Sequence, residues 1–588
     1  MAPPLVSVPM KKNKKPSLVL TLSAAGLLIG AGSAAYWLLS QRQRASSDLL
    51  VGANIIPGDA LFAVSLTTDP QQWQKLREFG TKQTQAELDK NLVELRDRFL
   101  TNNGYDFQKD IAPWVGNDVT IAILAPAIAS IAAPKPVTTN EDAANDQQSM
   151  VIVLPVKNPE IAKNILAQPK TLKQGKWIDR IYQGIAIKQS QGQAGENFSA
   201  ALLDGRFLVI TDSPKATERA IDAYKNQTSL ATTGGFAENF PKIANYQRFG
   251  QFYINVPTAA KIAAASPNRP LPAQVLAQLQ NNQGLAGTMT LEAQGIRFKG
   301  VSWLNPNSQR VLTVENKAGQ MQSRVPAETL MMLSGGNLQR LWGDYVLTSQ
   351  GNPLSPIAPE QLRGGIKSLT TLDLDKDLLS WMKGEFSLSL IPSTPKQGFP
   401  DDFRVGLLFM VQTSNRQSAE ASIKQLDEVM RNQYQFQVQP AKVAGQPVVN
   451  WVSPYGTLTA THGWLDGNVA FLVVGAPVTD KILPKPNNTL ASTIPFQQTV
   501  PTEPNPKNGQ FFLDVERTVK NFPLPTLIPN QQILLDATRS IGMTSAVSDS
   551  RSNIYDIFIA LKKVRNTTPL PSPEGNKSSS ATPSTASP

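Results

Sequence analysis

"LLDGRFLVITDSP" runs from Leu202 to Pro214, and "WLDGNVAFLVVGAP" runs from Trp464 to Pro477. Each holds an Asp-Gly pair between two short apolar runs. Asp-Gly is a favoured two-residue hairpin turn, because both residues tolerate the positive φ that the turn requires. The same antiparallel hairpin is therefore predicted at two places in one chain, which raises the question of whether its surroundings also repeat.

They do, in order. "IIPGDALFAVSL" from Ile55 is echoed by "RVPAETLMMLSG" from Arg324, each a Pro, a small residue, an acid and an apolar run that reads as a strand. "DFQKDIAPWVG" from Asp106 is echoed by "DLDKDLLSWMKG" from Asp373, and "GNDVTIAILAP" from Gly116 by "GEFSLSLIPS" from Gly384. "MVIVLPVKNPEIAKNIL" from Met150 corresponds to "GLLFMVQTSNRQSAEASIKQL" from Gly406, a strand leading into an amphipathic helix, and "GQFYINV" from Gly250 returns as "GQFFLDV" from Gly509. The echoes lie about 260 to 270 residues apart. The chain reads as a tandem duplication with copies at 50–304 and 320–565. Each copy mixes hairpin-bounded strands with helices, so the expected class is α+β with two duplicated domains and largely antiparallel sheets. Leu88, Leu92, Leu95 and Phe99 fall on one stripe of Thr84 to Leu100, which predicts an amphipathic helix there.

Outside the repeat, "LVLTLSAAGLLIGAGSAAYWLL" from Leu18 to Leu39 carries no charge. As a helix its length would be about 33 Å, enough to cross a bilayer. Lys11, Lys12, Lys14 and Lys15 precede it, which predicts a cytoplasmic basic N-terminus at 1–17 and a single-pass transmembrane helix at 18–39. A cleaved signal peptide has the same basic start and a small-residue site around Ala31 to Ala35. Tyr36 to Leu39, however, continue the apolar run and set aromatics at the membrane interface. The tail at 567–588 is rich in Pro and Ser with no apolar period, so disorder is expected there, and the first copy's insertion from Pro126 to Ser149 reads as a mobile surface loop.

Composition excludes several chemistries. The net charge is +11, but the first 44 residues hold six of the 56 basic residues and none of the 45 acidic ones. The remaining excess is too thin for a nucleic-acid footprint. With no Cys, there are no disulfides, thiolate metal sites or thiol nucleophiles. His462 is the sole histidine, so multi-histidine metal sites are also impossible.

The remaining candidates are few. Asp106 with Asp110, or Asp373 with Asp377, could work as acid and base, but Asp caps a helix start, Trp buries a large surface and Gly permits the turn into the next strand. That reading accounts for every residue of the repeated motif. Asp373, Asp375 and Asp377 begin like a calcium loop, yet Leu378 stands where Gly is needed and Gly384 where Glu is needed. His462 lies near Asp466 on one hairpin, with no nucleophile nominated. No catalytic, cofactor-binding or metal-binding residue is assigned, and no cofactor is expected.

The Pro-x-Asp-Ala strand in "IPGDALFAVSLTTDPQQWQKL", followed by "DFQKDIAPWVG", resembles the membrane-anchored, mainly cyanobacterial family catalogued as domain of unknown function 3352. The resemblance implies a plasma or thylakoid membrane location with the body in the periplasm or lumen, and it implies no catalytic residue. The second copy departs from the pattern, with Ser380 in place of Pro113 and an added Lys383. The expected function is a non-enzymatic anchored scaffold that binds protein or envelope partners. A carrier for lipid or another apolar ligand is the alternative, and a hydrolase using Asp106 and Asp110 a third.

Overall fold

In a computed structural model of the chain, residues 49–564 are described, apart from 102–103, 126–148, 171–175, 192–197, 244–246, 265–280, 309, 313–316, 350–357, 394–404, 467 and 522–530. The expected basic N-terminus, transmembrane helix and disordered tail lie outside the described residues, as does nearly all of the insertion from Pro126. Among the described residues, no helix is long and apolar enough to cross a membrane.

The first half contributes strands β1 (Phe62–Thr67), β2 (Asp118–Leu124), β3 (Ser149–Pro155), β4 (Lys176–Tyr182), β5 (Ile185–Gln191), β6 (Ser199–Leu203), β7 (Phe207–Thr211), β8 (Gly250–Asn255), β9 (Asn282–Leu291) and β10 (Gly295–Leu304). The second contributes β11 (Met331–Gly335), β12 (Phe386–Pro392), β13 (Val405–Gln412), β14 (Gln437–Val443), β15 (Gln446–Val452), β16 (Leu458–Leu465), β17 (Val469–Gly475), β18 (Gly509–Asp514), β19 (Thr538–Asp549) and β20 (Ser552–Leu561). Pairing in the first half runs β4-β5-β6-β7-β3-β2-β1-β8-β9-β10, all antiparallel. The second half runs β14-β15-β16-β17-β13-β12-β11-β18-β19-β20, the same order ten strands on.

The sequence left open how the two halves are joined; the structure has one sheet of twenty strands. The last strand of each half has a free edge, and β10 pairs antiparallel with β20 over nine residue pairs, so each edge satisfies the other's backbone N–H and C=O groups. Register makes the symmetry explicit. Ser65 faces Thr120 and Gln251, and Ser334 faces Ser387 and Gln510. Gln251 faces Thr288, which faces Lys299; Gln510 faces Thr544, which faces Asp556. Lys299 and Asp556 thus hold equivalent positions and are also each other's partners. A local two-fold axis passes between them.

Side chains clamp this seam. Arg297 Nη1 donates to both carboxylate oxygens of Asp556 at 3.0 and 3.1 Å, and Lys242 Nζ donates to Asp549 Oδ2 at 2.6 Å and Ser552 Oγ at 2.9 Å. Arg551 Nη1 donates to the carbonyl of Ser308 at 2.8 Å, tying down the segment that leaves β10.

Opposite faces of the sheet differ in chemistry. One face is packed in both halves: Ala63, Val153, Tyr253 and Trp303 belong to one core, Met332, Leu408, Phe471 and Phe512 to another. The polar row that includes Ser65, Gln251, Thr288 and Gln510 lies on this buried face. Ser65 Oγ, both side-chain polar atoms of Gln251, Thr288 Oγ1 and Gln510 Oε1 have no hydrogen-bond partner among the described residues.

The other face is covered unequally. In the first half the Pro70–Arg77 and Lys82–Phe99 helices seal it. Asp69 caps the first helix, accepting from Gln71 N at 2.9 Å, and Thr81 and Thr84 cap the second reciprocally. Trp73 and Leu92 from these helices form a core with Val64, Leu66 and Met289 of the strands, and Leu88 packs on it. Among the described residues no such core covers β11, β18 and β19 on that face. The second half's Leu338–Ser349 helix has no buried side chain among those described, and the Pro359–Thr370 helix buries only Pro359.

Candidate functional site

The repeated Asp-x-x-Lys-Asp motifs fold alike. In each, one turn of π-helix closes on the carbonyl of the second motif residue, from Ala112 N to Phe107 O and from Leu379 N to Leu374 O. Asp106 Oδ1 accepts from Lys109 N at 3.0 Å, while Asp110 Oδ2 accepts from Asp106 N at 2.6 Å. Asp373 Oδ1 accepts from Asp375 N and Lys376 N, both at 3.0 Å, and Asp377 Oδ2 accepts from Asp373 N at 2.7 Å. Trp114 and Trp381 donate to the carbonyls of Asp110 and Asp377 at 2.7 and 3.1 Å. These carboxylates hold a turn together through reciprocal capping. The motif's Gly has a reason beyond the turn: a Cβ on Gly116 would come within 2.8 Å of Pro155 Cβ, and one on Gly384 within 2.5 Å of the Gln412 carbonyl, so the next strand passes too close for a side chain.

The Asp373, Asp375, Asp377 run is likewise occupied by donors. Asp375 accepts from Arg363 Nε at 2.6 Å and Trp342 Nε1 at 2.7 Å. The Arg363 guanidinium, aided by Trp342, holds the Asp375 carboxyl below the usual carboxylate range against a smaller opposing effect of burial. Among the described residues, no three His, Asp or Glu side chains are grouped for metal binding.

His462 is the sequence candidate that the structure places in a cleft, with a different partner from the one expected. Asp466 is not that partner. His462 Nε2 donates to Asp427 Oδ1 at 2.8 Å, and Asp427 lies 35 residues away on the Arg416–Asn432 helix. Trp451 Nε1 donates to the same oxygen at 2.7 Å, and its ring meets the imidazole edge-on at 5.4 Å between centroids. One carboxylate therefore fixes both the imidazole and the indole, and no hydroxyl hydrogen-bonds to His462 among the described residues. The cleft beside this trio has a volume of about 660 Å³, with Ile423, Lys424, Pro440, Lys442, Val449 and Trp464 among its lining residues. The helix is placed by Asn415, whose Oδ1 accepts from Ser418 N at 3.0 Å, and by Ala419, buried against Trp381, Val411 and Ala470.

His462 also ends a longer feature. On the incompletely covered face, successive strands align Phe298, Ile557, Met543, Phe511, Leu333, Leu388, Phe409, Leu472, His462 and Val449, one residue per strand from β10 to β15. Nine of these ten are apolar and at least partly exposed; Phe298 packs on the covered core of the first half and Phe409 on the core around Trp381 and Ala419, while the residues from Ile557 to Leu388 join neither core. At about 4.8 Å per strand the row is roughly 43 Å long. Leu333 in the row is 37% exposed, and beside the row Leu407 and Val474 are 36% and 38% exposed.

Sequence reading missed most of this site. Asp427, Lys424, Trp451 and Lys442 sit in ordinary helix and strand patterns, and only register brings them to His462. The first half has no equivalent. Its matching positions are Ala200 for His462, Lys188 for Val449 and Ser190 for Trp451, as the shared registers show. Its matching helix, Pro159–Ala167, has nine residues against seventeen.

Comparison with known proteins adds little chemistry. No curated protein matches the chain. Crystal form I of TP0453 aligns with 11% identity, covering 44% of this chain and 81% of that one, at a TM-score of 0.21. Crystal form III gives 10% identity, 45% and 83% coverage, and 0.21. A family model described as "Protein of unknown function (DUF3352)" matches residues 21–561, and the chain belongs to that family.

Proposed function

We propose that the chain is a non-enzymatic, membrane-tethered carrier that holds the hydrocarbon part of a lipid on the open face of its second half. The observation that carries this reading is the apolar row on that face, open from Ile557 to Leu388 and continued by Phe409 and Leu472 to His462. Soluble proteins rarely leave a contiguous apolar patch of more than a few hundred Å² uncovered unless something binds there. The row has no charged side chain and no hydrogen-bonding group before His462, which suits acyl chains better than a protein surface with its polar rim. A membrane helix ending at Leu39 would leave nine residues before Leu49, a reach of roughly 35 Å, and would hold the body beside the bilayer. The non-enzymatic part draws on His462, whose Nε2 and carboxylate partner are committed to a fixed trio with no hydroxyl bonded to the imidazole among the described residues.

The test is native mass spectrometry of the full chain released from its membrane in mild detergent. Reproducible lipid adducts that disappear in L333E/L407E, with the fold intact by circular dichroism, support the carrier. An adduct-free wild-type protein overturns it.

A second reading, docking of a protein or envelope partner, draws on the open sheet edge at β4. Among the described residues β4 pairs only with β5, and its Ile181 is 76% exposed, an arrangement that fits strand addition by a partner. Cross-linking from position 181 in native membranes tests it; the absence of any protein adduct removes it.

A further inference from the structure

The cleft at the end of the apolar row differs from the row in one respect, which is charge. Lys424 and Lys442 line it and are exposed, and among the described residues neither makes an ion pair. The two acids that line it are engaged: Glu420 accepts from Arg416 Nε at 2.8 Å, and Asp427 accepts from both His462 and Trp451. Arg416 also stacks over the Trp464 ring at 4.3 Å, which keeps it at that wall. Arg416 pairs with Glu420, which leaves the two lysines against the single carboxylate of Asp427, an excess of one positive charge at the cleft. Ile423, Val449 and Trp464 supply an apolar lining, and a volume of about 660 Å³ falls in the range of small-molecule sites.

We propose that this cleft is the head-group pocket for an anionic single-chain amphiphile, a long-chain carboxylate in the simplest case, bound by Lys424 and Lys442 with its chain laid along the row toward Leu472. The proposal rests on the carrier reading above and adds to it the polarity of the ligand and the direction in which it lies. The continuity is built into the register. His462 lines the cleft and is directly opposite Leu472, which is opposite Phe409. His462 is the one polar residue between the cleft and the apolar part of the row. The first half lacks each component: Lys188 replaces Val449 and is itself paired with Asp179 at 2.6 Å, and the helix that would roof the cleft is half as long. One head-group site per chain is the expectation.

The test equilibrates the full-length chain in mild detergent with hexadecanoate or with hexadecanol and counts adducts by native mass spectrometry. Expected are one hexadecanoate per chain, weaker hexadecanol binding, and hexadecanoate occupancy lowered about tenfold in apparent affinity by K424E/K442E. K163E, on the counterpart helix of the first half, should leave occupancy unchanged. Both lysines are exposed, so the double variant should fold; unchanged hexadecanol binding by that variant serves as the check. Equal binding of acid and alcohol, or indifference to K424E/K442E, overturns the head-group pocket while the carrier reading stands. Absence of both adducts overturns the two together.

Discussion

Ten strands in one order, two capped Asp-Trp-Gly turns and a shared register make the two halves nearly the same object on one face of the sheet, yet they part on the other. The first half closes its outer face with two helices that bury Trp73 and Leu92 completely or almost so, at 0% and 1% exposure. The second half places two helices at the same point in the chain order, which bury almost nothing, and leaves Leu333 where the first half buries Val64. A duplication frees one copy from the other's constraints. Here the sealed copy buries its outer face, and the open copy carries the cleft lined by the sole histidine.

Substitutions in matched pairs can break or sharpen this contrast. The largest effect is expected at Trp73. Trp73→Ala removes a fully buried indole that also donates to the Thr67 carbonyl at 2.8 Å, and should cost about 3–5 kcal/mol in urea unfolding. Leu333→Ala, on the open face, should cost about 1 kcal/mol or less. Similar losses at the two sites would mean that the second half's face is covered after all.

Next come the turns, where the halves should behave alike. Asp106→Ala and Asp373→Ala each remove a side-chain acceptor for one or two backbone N–H groups, and each should cost about 1 kcal/mol, within the range of helix caps. A large difference between the two would show that one motif has acquired another task.

Smaller again, and of opposite sign, is the effect expected in the buried polar row. Gln251→Met and Gln510→Met replace an amide that has unpartnered polar atoms with an apolar chain of similar length. Each should raise stability by about 1 kcal/mol, with Gln251 gaining more because neither of its side-chain polar atoms is partnered. A loss in both would show that these amides are hydrogen-bonded in solution.

The smallest effect is pH dependence at the seam. Burial alone would raise the Asp549 carboxyl, but hydrogen bonds from Lys242, Ser552 and the Arg551 amide outweigh it and hold the carboxyl at about 2, below its ordinary 3.8. Because the folded value is the lower one, the contribution is complete above about pH 4 and is lost as pH falls through about 2. Asp549 is partly exposed, so solvent screens the clamp and the loss should be slight. In Lys242→Met the Asp549 titration, followed by NMR, should move up toward 3.8; an unmoved titration would mean that the clamp is absent in solution.

Much of the architecture was legible because it is local. The Asp204-Gly205 pair takes the positive φ of 49° and 68° that the hairpin reading requires, although Leu203 pairs with Phe207 and the connection has three residues instead of two, and Asn415 and Thr81 cap helices that the apolar stripes announce. Repetition then supplied the equivalence between halves. The hydrogen bond from His462 to Asp427 was not legible. Asp466 is near in sequence, whereas Asp427 is reached only by folding a helix back across the sheet. Nor was the seam, because strand edges carry no side-chain code for their partner beyond alternation, and both β10 and β20 alternate adequately.

What the sequence determined by itself is therefore the set of elements, their duplication and the chemistries ruled out by one histidine and no cysteine. Those depend on residue type, dihedral preference and short-range periodicity, which act over a few residues. The joining of two sheets into one and the laying of an apolar row up to His462 were decided by tertiary structure. So was the gathering of Lys424, Asp427, Lys442 and Trp451 around one cleft. The physical reason is that backbone pairing across distant edges and packing on one sheet face depend on which surfaces meet, and residues more than thirty positions apart meet only in the folded chain.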